Sequence, residues 1–272
     1  MIKNCLLISM PRSGSTVLAR HIRHLLKLQQ TKTGELLSFN SGEEHFGYDN
    51  HGREKIGTYD VRTIAARIDP DSIKFGRLQR STADYRYELQ RRYEALASFN
   101  WPTCKVILQD WRLLSPEQRT LMAENYDSVI TLDRRDFTEA AVSTYYALYR
   151  QQWHREGNEP NFEFDGHERI HPSMVKRVVR EYKEFYTLVK QLPKHSAHFS
   201  YEQLHDVVNM QHLLSAFAGL PFDKNPKWPL WKGVDQYERA KYVRNYDHLK
   251  SLENMLIGEH DVTFLPRTGI EV

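Results

Sequence analysis

The chain has 272 residues, 40% of them hydrophobic, with 38 Lys and Arg set against 35 Asp and Glu for a formal charge of +3. That length buries a core without staples, and two cysteines, Cys5 and Cys104, make neither a disulfide scaffold nor a zinc cluster. The balanced charge excludes a protein whose main business is coating nucleic acid, and no apolar run approaches a membrane span, so the composition is that of a globular protein.

Taken in chain order, Cys5-Leu6-Leu7-Ile8-Ser9 is a short continuous apolar run that stops at Pro11 and Gly14, as a strand buried on both faces of a parallel sheet does. The interruption at Pro11 and Arg12 also removes any signal-peptide core, so the chain is expected in the cytoplasm. From Ser15 to about Gln30, Val17, Leu18, Ile22, Leu25 and Leu26 recur at helical spacing. Residues 31–100 are irregular, punctuated by Gly34, Gly42, Gly47, Gly52, Gly57 and Gly76, with a helical piece over 85–98, and form the expected acceptor-facing region. Two β-rich runs follow, 105–108 and 128–132, on either side of a helix that starts at Ser115-Pro116-Glu117 with a cap and a first-turn proline. Asp136 and Glu139 stand three apart, a capping-box variant opening the helix that carries Ala140, Ala141, Val142 and Leu148. A long amphipathic helix spans 174–189, and Ala197-His198-Phe199-Ser200 reads as a further strand. Strands alternating with helices, with no internal repeat, predict one domain over 1–272, a three-layer αβα fold with a mostly parallel sheet. Ligands in such folds bind at the carboxyl ends of the strands.

The first strand-to-helix turn, Pro11-Arg12-Ser13-Gly14-Ser15-Thr16, is the expected anion site. A glycine allows close backbone approach, the helix start supplies N–H donors and positive dipole, and Arg12 with three hydroxyls adds to both. An ordinary polar turn is the competing reading. The ATP-binding pattern G-x-x-x-x-G-K-[ST] is not met, because Ser9 replaces its first glycine and Ser15 its lysine. The loop resembles the 5′-phosphosulfate loop of the sulfotransferases, which use 3′-phosphoadenosine 5′-phosphosulfate (PAPS). The stretch 129–136, continuing to Ala141-Val142-Ser143, is similar to that family's 3′-phosphate element, with Arg135 and Ser143 eight residues apart. Arg134 is out of that register. A guanidinium and a helix hydroxyl are fitting phosphate ligands, although each alone also reads as a surface group.

Weaker echoes extend the likeness. Leu108-Gln109-Asp110-Trp111-Arg112 resembles a Lys-Asp-Pro-Arg segment of carbohydrate-type members, with Gln109 in place of Lys and Trp111 in place of Pro. Tyr201-Glu202-Gln203-Leu204 and the later Gly219-Leu220-Pro221 resemble mainly structural signals, and Asn245-Tyr246 resembles an element before the last helix of some bacterial and viral members. The resemblance implies a P-loop nucleotide-kinase-like sulfotransferase fold, with Arg12, Ser13, Gly14, Ser15, Thr16, Arg135 and Ser143 holding PAPS as co-substrate and no metal. It implies transfer of a sulfonate to a hydroxyl or amine of a small-molecule, carbohydrate or glycolipid acceptor. Arg12 would assist catalysis. Thr33-Gly34-Glu35 resembles a Gly-Glu segment bearing a catalytic base, so Glu35 is the first candidate base and His45 the second, ahead of Glu43, Glu44 and Asp110. A kinase on a related scaffold and a catalytically silent nucleotide-binding protein are the alternatives.

Overall fold

The computed structural model describes residues 5–33, 55–56, 59–60, 103–112, 114–149, 168–192, 196–223, 243–259 and 262–267. The strands are β1 (Cys5–Ser9), β2 (Lys55–Ile56), β3 (Tyr59–Asp60), β4 (Thr103–Ile107), β5 (Ser128–Asp133) and β6 (Ser196–Ser200). The helices are α1 (Ser15–Thr33), α2 (Leu108–Trp111), α3 (Pro116–Glu124), α4 (Phe137–Tyr149), α5 (Ser173–Val189), α6 (Val207–Ala218) and α7 (Tyr246–Glu259), with a 3₁₀ turn at Tyr201–His205. Four strands form one sheet in the order β4-β1-β5-β6, every pair parallel, and β2 and β3 make a separate antiparallel pair inside the stretch read as irregular.

The registers explain the apolar runs. Leu7 lies between Lys105 and Ile130, and Ile130 is opposite Ala197. Because successive strand side chains alternate in direction, Leu6, Ile8, Val106 and Val129 enter one core with residues of α4, α5 and α7, whereas Cys5, Leu7, Ile130 and Leu132 enter another with residues of α1 and α6. Helices therefore flank both faces, and all five residues of β1 are buried. The α5 stripe buries Met174, Val175, Val178, Val179, Tyr182, Phe185 and Val189, and each large side chain so buried contributes roughly 1.5–3 kcal/mol.

Most element ends agree with the sequence reading, with particular exceptions. The helix from Ser15 runs on to Thr33, and the run expected as a strand over 105–108 begins at Thr103 and ends at Ile107, with Leu108 already in the helical turn α2. An apolar run does not reveal where the backbone leaves the strand, because a buried helix turn needs the same residue types. Ser115 caps α3 through a full box with Gln118, Ser115 Oγ accepting from Gln118 N at 3.2 Å and Ser115 N donating to Gln118 Oε1 at 2.9 Å. At the start of α4, Asp136 Oδ1 accepts from Glu139 N at 2.8 Å, and the Glu139 carboxylate reaches Arg134 and Tyr246. α6 stops at Gly219, in the left-handed region at φ 62°. The helical piece expected over 85–98 lies outside the described residues. Among the described residues, no helix is long and apolar enough to cross a membrane and no group of three or more His, Cys, Asp and Glu is arranged to hold a metal ion.

Candidate anion site at the carboxyl ends of the strands

Parallel pairing brings the carboxyl ends of β1, β5 and β6 to one edge, where residues 10–14, 134–136 and the 3₁₀ turn meet. The loop after β1 is tied to the sheet by Met10 N donating to Leu132 O at 2.9 Å, and Ser13 Oγ folds back onto Met10 O at 2.7 Å. Two of its residues have positive φ, Arg12 at 60° and Gly14 at 84°. Glycine is required at 14 for a second reason, since a Cβ there would lie 2.8 Å from Leu204 Cδ1 and 2.9 Å from Tyr201 Cδ2. The Gly14 carbonyl accepts from Val17 N and Leu18 N, which starts α1. The amides of Ser15 and Thr16 precede these bonds and, like the first amides of any helix, have no intrahelical acceptor.

Three cationic side chains converge on this loop. Arg12 Nε donates to Ser143 Oγ at 2.9 Å, joining the loop to α4. Arg134, buried to 2% exposure, donates from Nη1 to Arg12 O at 3.3 Å and from Nη2 to Glu139 Oε2 at 3.4 Å, and its guanidinium lies 4.3 Å from the Tyr201 ring centroid. From the opposite strand, Lys105 Nζ donates to Thr16 Oγ1 at 3.0 Å.

Arg135 has a different setting. Its Nη2 donates to Leu265 O, its Nε stands 3.7 Å from Asp133 Oδ2, and its guanidinium lies 5.2 Å from the Phe264 ring centroid. Glu202 shapes this turn by accepting from Arg135 N at 3.0 Å and Asp136 N at 3.3 Å. Asp133 itself is buried, its Oδ2 lies 3.1 Å from His198 Nε2, and His198 Nδ1 meets Thr131 Oγ1 at 2.8 Å. Tyr182, whose hydroxyl accepts from Leu265 N at 3.2 Å, has its pKa pushed up by burial and then by the Asp133 charge.

The two helix N-termini at this edge differ in electrostatics. That of α4 is filled from within: Glu253 accepts from Phe137 N and Thr138 N, both at 3.0 Å, and Lys250 bridges Asp136 at 2.8 Å and Glu253 at 3.1 Å. Burial works against the Lys250 charge, but Asp136 and Glu253 outweigh it and hold its pKa up. The first turn of α1 carries no acidic residue. An incoming anion therefore meets the α1 end with a favourable dipole and the α4 end already neutralised.

Of the residues singled out from sequence, Arg12, Ser13, Gly14, Ser15 and Thr16 form the loop, and Arg12 with Ser143 makes the join between the two motifs. Ser143 has its hydrogen bond to Arg12, whereas Arg135 is turned to Leu265 and Asp133. Glu35, His45, Glu43 and Glu44 lie outside the described residues, as do the side chains of Gln109 and Asp110. Sequence reasoning missed Lys105, Arg134, Glu139 and Glu253. A lysine inside the apolar run Thr103–Ile107 was the readable signal for the first, since Lys is almost never fully buried unless paired. Asn245 is a clamp, its side chain accepting from Ile170 N at 3.1 Å and donating to Ile170 O at 2.8 Å, while Tyr246 donates to Glu139 Oε1 at 2.9 Å. Burial, then the Glu139 charge, pushes the Tyr246 pKa up, so the phenol remains a donor. No protein-family model matches the chain, and no curated protein matches it.

Proposed function

We propose that this protein is a PAPS-dependent sulfotransferase with the P-loop nucleotide-kinase-like sulfotransferase fold. The observation that carries the reading is the Arg12 Nε to Ser143 Oγ hydrogen bond of 2.9 Å between residues 131 positions apart. The two motifs that resemble the 5′-phosphosulfate and 3′-phosphate elements thereby fall side by side at the ligand-binding edge of the sheet. In this reading the loop amides, Arg12 and the hydroxyls of Ser13, Ser15 and Thr16 hold the 5′-phosphosulfate, and Ser143 and Arg135 hold the 3′-phosphate. The 3′-phosphate would displace the Leu265 carbonyl from Arg135, replacing a neutral acceptor with an anionic one that a guanidinium can hold through two parallel hydrogen bonds.

In the reaction the acceptor oxygen or nitrogen bonds to sulfur as the bond between sulfur and the 5′-phosphate oxygen breaks. The acceptor proton passes to a base, first Glu35 and second His45. The products are a sulfated acceptor and 3′-phosphoadenosine 5′-phosphate (PAP). Arg12 and the loop donors stabilise the charge that builds on the leaving phosphate. The acceptor is a small molecule, carbohydrate or glycolipid, and the setting cytoplasmic.

One observation favours a second reading, a kinase or a silent nucleotide-binding protein: Lys105 brings an ammonium to a loop that has Ser15 where a nucleotide-binding lysine stands. Turnover of labelled PAPS against labelled ATP over an acceptor panel separates the three. PAP at about 100 times its dissociation constant should add roughly 2.7 kcal/mol of stability. Arg135→Ala should weaken PAP and leave adenosine 5′-phosphate unchanged, whereas Ser143→Ala, which also releases Arg12, should weaken PAP by less and adenosine 5′-phosphate to a smaller extent again. Folded protein that PAP does not stabilise would refute the assignment.

A further inference from the structure

We infer that Lys105 is a positioning residue of the phosphate loop, which holds the Thr16 hydroxyl as a hydrogen-bond acceptor and so commits the Thr16 proton to the bound anion. The inference rests on the reading of residues 11–16 as a 5′-phosphate loop and adds to it a residue from a strand that neither motif includes.

Lys105 is the one charged residue of β4, stands in register with Leu7 of the central strand, and is 2% exposed. Leu7 faces the core lined by Leu18, Ile22 and Leu25 of α1. Paired residues in a parallel register share a face, so Lys105 lies under α1 and reaches up to its first turn, where Nζ meets Thr16 Oγ1 at 3.0 Å. The direction of this bond is fixed by chemistry: an ammonium has three donors and no acceptor, so Thr16 must accept. A threonine hydroxyl that accepts still has its own proton to give, and among the described residues no acceptor takes it. Donation from a cation also polarises the hydroxyl and strengthens the bond it makes in turn.

The arrangement places a positive charge behind the loop without exposing it. Adding a second hydrogen bond of about 2.7 Å to the first puts the ammonium within roughly 6 Å of an anion oxygen on Thr16. At an effective dielectric of about 20, a full unit charge at that range changes affinity by about ten- to a hundredfold. The burial of Lys105 sets it apart from a ligand-touching lysine, because Thr16 lies between it and the anion.

The test measures binding of PAP, inorganic pyrophosphate and adenosine 3′-phosphate by calorimetry to wild type, Lys105→Met, Lys105→Gln, Thr16→Val and the Lys105→Met/Thr16→Val double variant. Methionine keeps the buried stem and removes the charge. The expected result is a loss of about tenfold or more for PAP and pyrophosphate in Lys105→Met, with adenosine 3′-phosphate unchanged because it lacks the group the loop holds. Lys105→Gln, which keeps a donor, should recover part of the loss, and adding Lys105→Met to Thr16→Val should cost less than Lys105→Met costs alone, because the part carried through the hydroxyl is already lost while the part carried by the charge remains. Unchanged PAP affinity in Lys105→Met, an equal loss for all three ligands, or fully additive losses in the double variant overturns the inference. Wild type that takes pyrophosphate but not PAP refutes the sulfotransferase reading alone, and the pyrophosphate series then decides the role of Lys105. Wild type that binds none of the three overturns both.

Discussion

Gly14→Ala tests the loop geometry on which the site depends. The substitution adds one methyl group in two unfavourable ways. Alanine at φ 84° sits in the left-handed region, which costs an L-residue roughly 1–2 kcal/mol. Its Cβ would also stand 2.8 Å from Leu204 Cδ1 and 2.9 Å from Tyr201 Cδ2. Both neighbours are buried, and the Tyr201 ring is held beneath the Arg134 guanidinium at 4.3 Å, so neither yields freely. Overpacking of this kind costs about 1–3 kcal/mol, for a total of about 2–5 kcal/mol. Gly258→Ala is the matched control, because that glycine is in α7 with nothing within 4 Å of an added Cβ. Alanine there should stabilise by about 0.5–1 kcal/mol. Urea unfolding followed by tryptophan fluorescence and far-ultraviolet circular dichroism, compared at a common m-value, gives both numbers. A Gly14→Ala protein within about 0.5 kcal/mol of wild type, or two glycine substitutions of equal cost, would show that the loop is not in this conformation.

Two further predictions concern groups that do not touch the ligand in the proposed reading. Burial, then the neighbouring His24, pushes the His21 pKa down from 6.5 to about 3, with Asp223 opposing them, so the fold keeps this imidazole neutral while the unfolded chain protonates it. Its contribution is complete above pH 6.5 and declines as the pH falls toward about 3, by about 1.4 kcal/mol per unit and about 3 kcal/mol at pH 4.5. A His21→Gln variant should flatten that part of the stability profile, and parallel profiles would refute it. Glu253→Gln should destabilise by about 1.5–3 kcal/mol, because an amide cannot accept from both Phe137 N and Thr138 N as the carboxylate does. A change in unfolding free energy below about 0.5 kcal/mol would mean that the α4 amides have another acceptor.

What the sequence shows depends on whether the physical cause is local. β1 is legible because a strand covered on both faces needs an unbroken apolar run, and α1 because one apolar face repeats at helical spacing. The Ser115 cap is legible because donor and acceptor are three residues apart. The cap on α4 is the contrary case. Asp136 supplies one acceptor locally, but Glu253, which takes the first two amides, is more than a hundred positions away, and nothing around Glu253 in sequence marks it. The local rule also misassigns Glu139, whose carboxylate is drawn to Arg134 and Tyr246. Arg134 fails the motif register and yet holds the Arg12 carbonyl, since a guanidinium can serve the loop through its backbone as well as the ligand through its charge.

These long-range contacts have one consequence for binding. Arg12 is a non-glycine residue with φ 60°, a conformation that persists only where surrounding contacts over-determine it. Its carbonyl is held by Arg134 and its side chain by Ser143. Arg134 is in turn paired with Glu139, which accepts from Tyr246, and the residue before Tyr246 clamps the backbone of Ile170. Buried ion pairs such as Arg134 with Glu139 add little net stability, so their effect is to be sought in conformation. Here they fix the loop before any ligand arrives, and a ligand that meets an ordered loop does not bear the entropy of ordering it. The residues that resemble binding motifs touch the anion in the proposed reading, and the residues that no motif marks give those contacts their geometry.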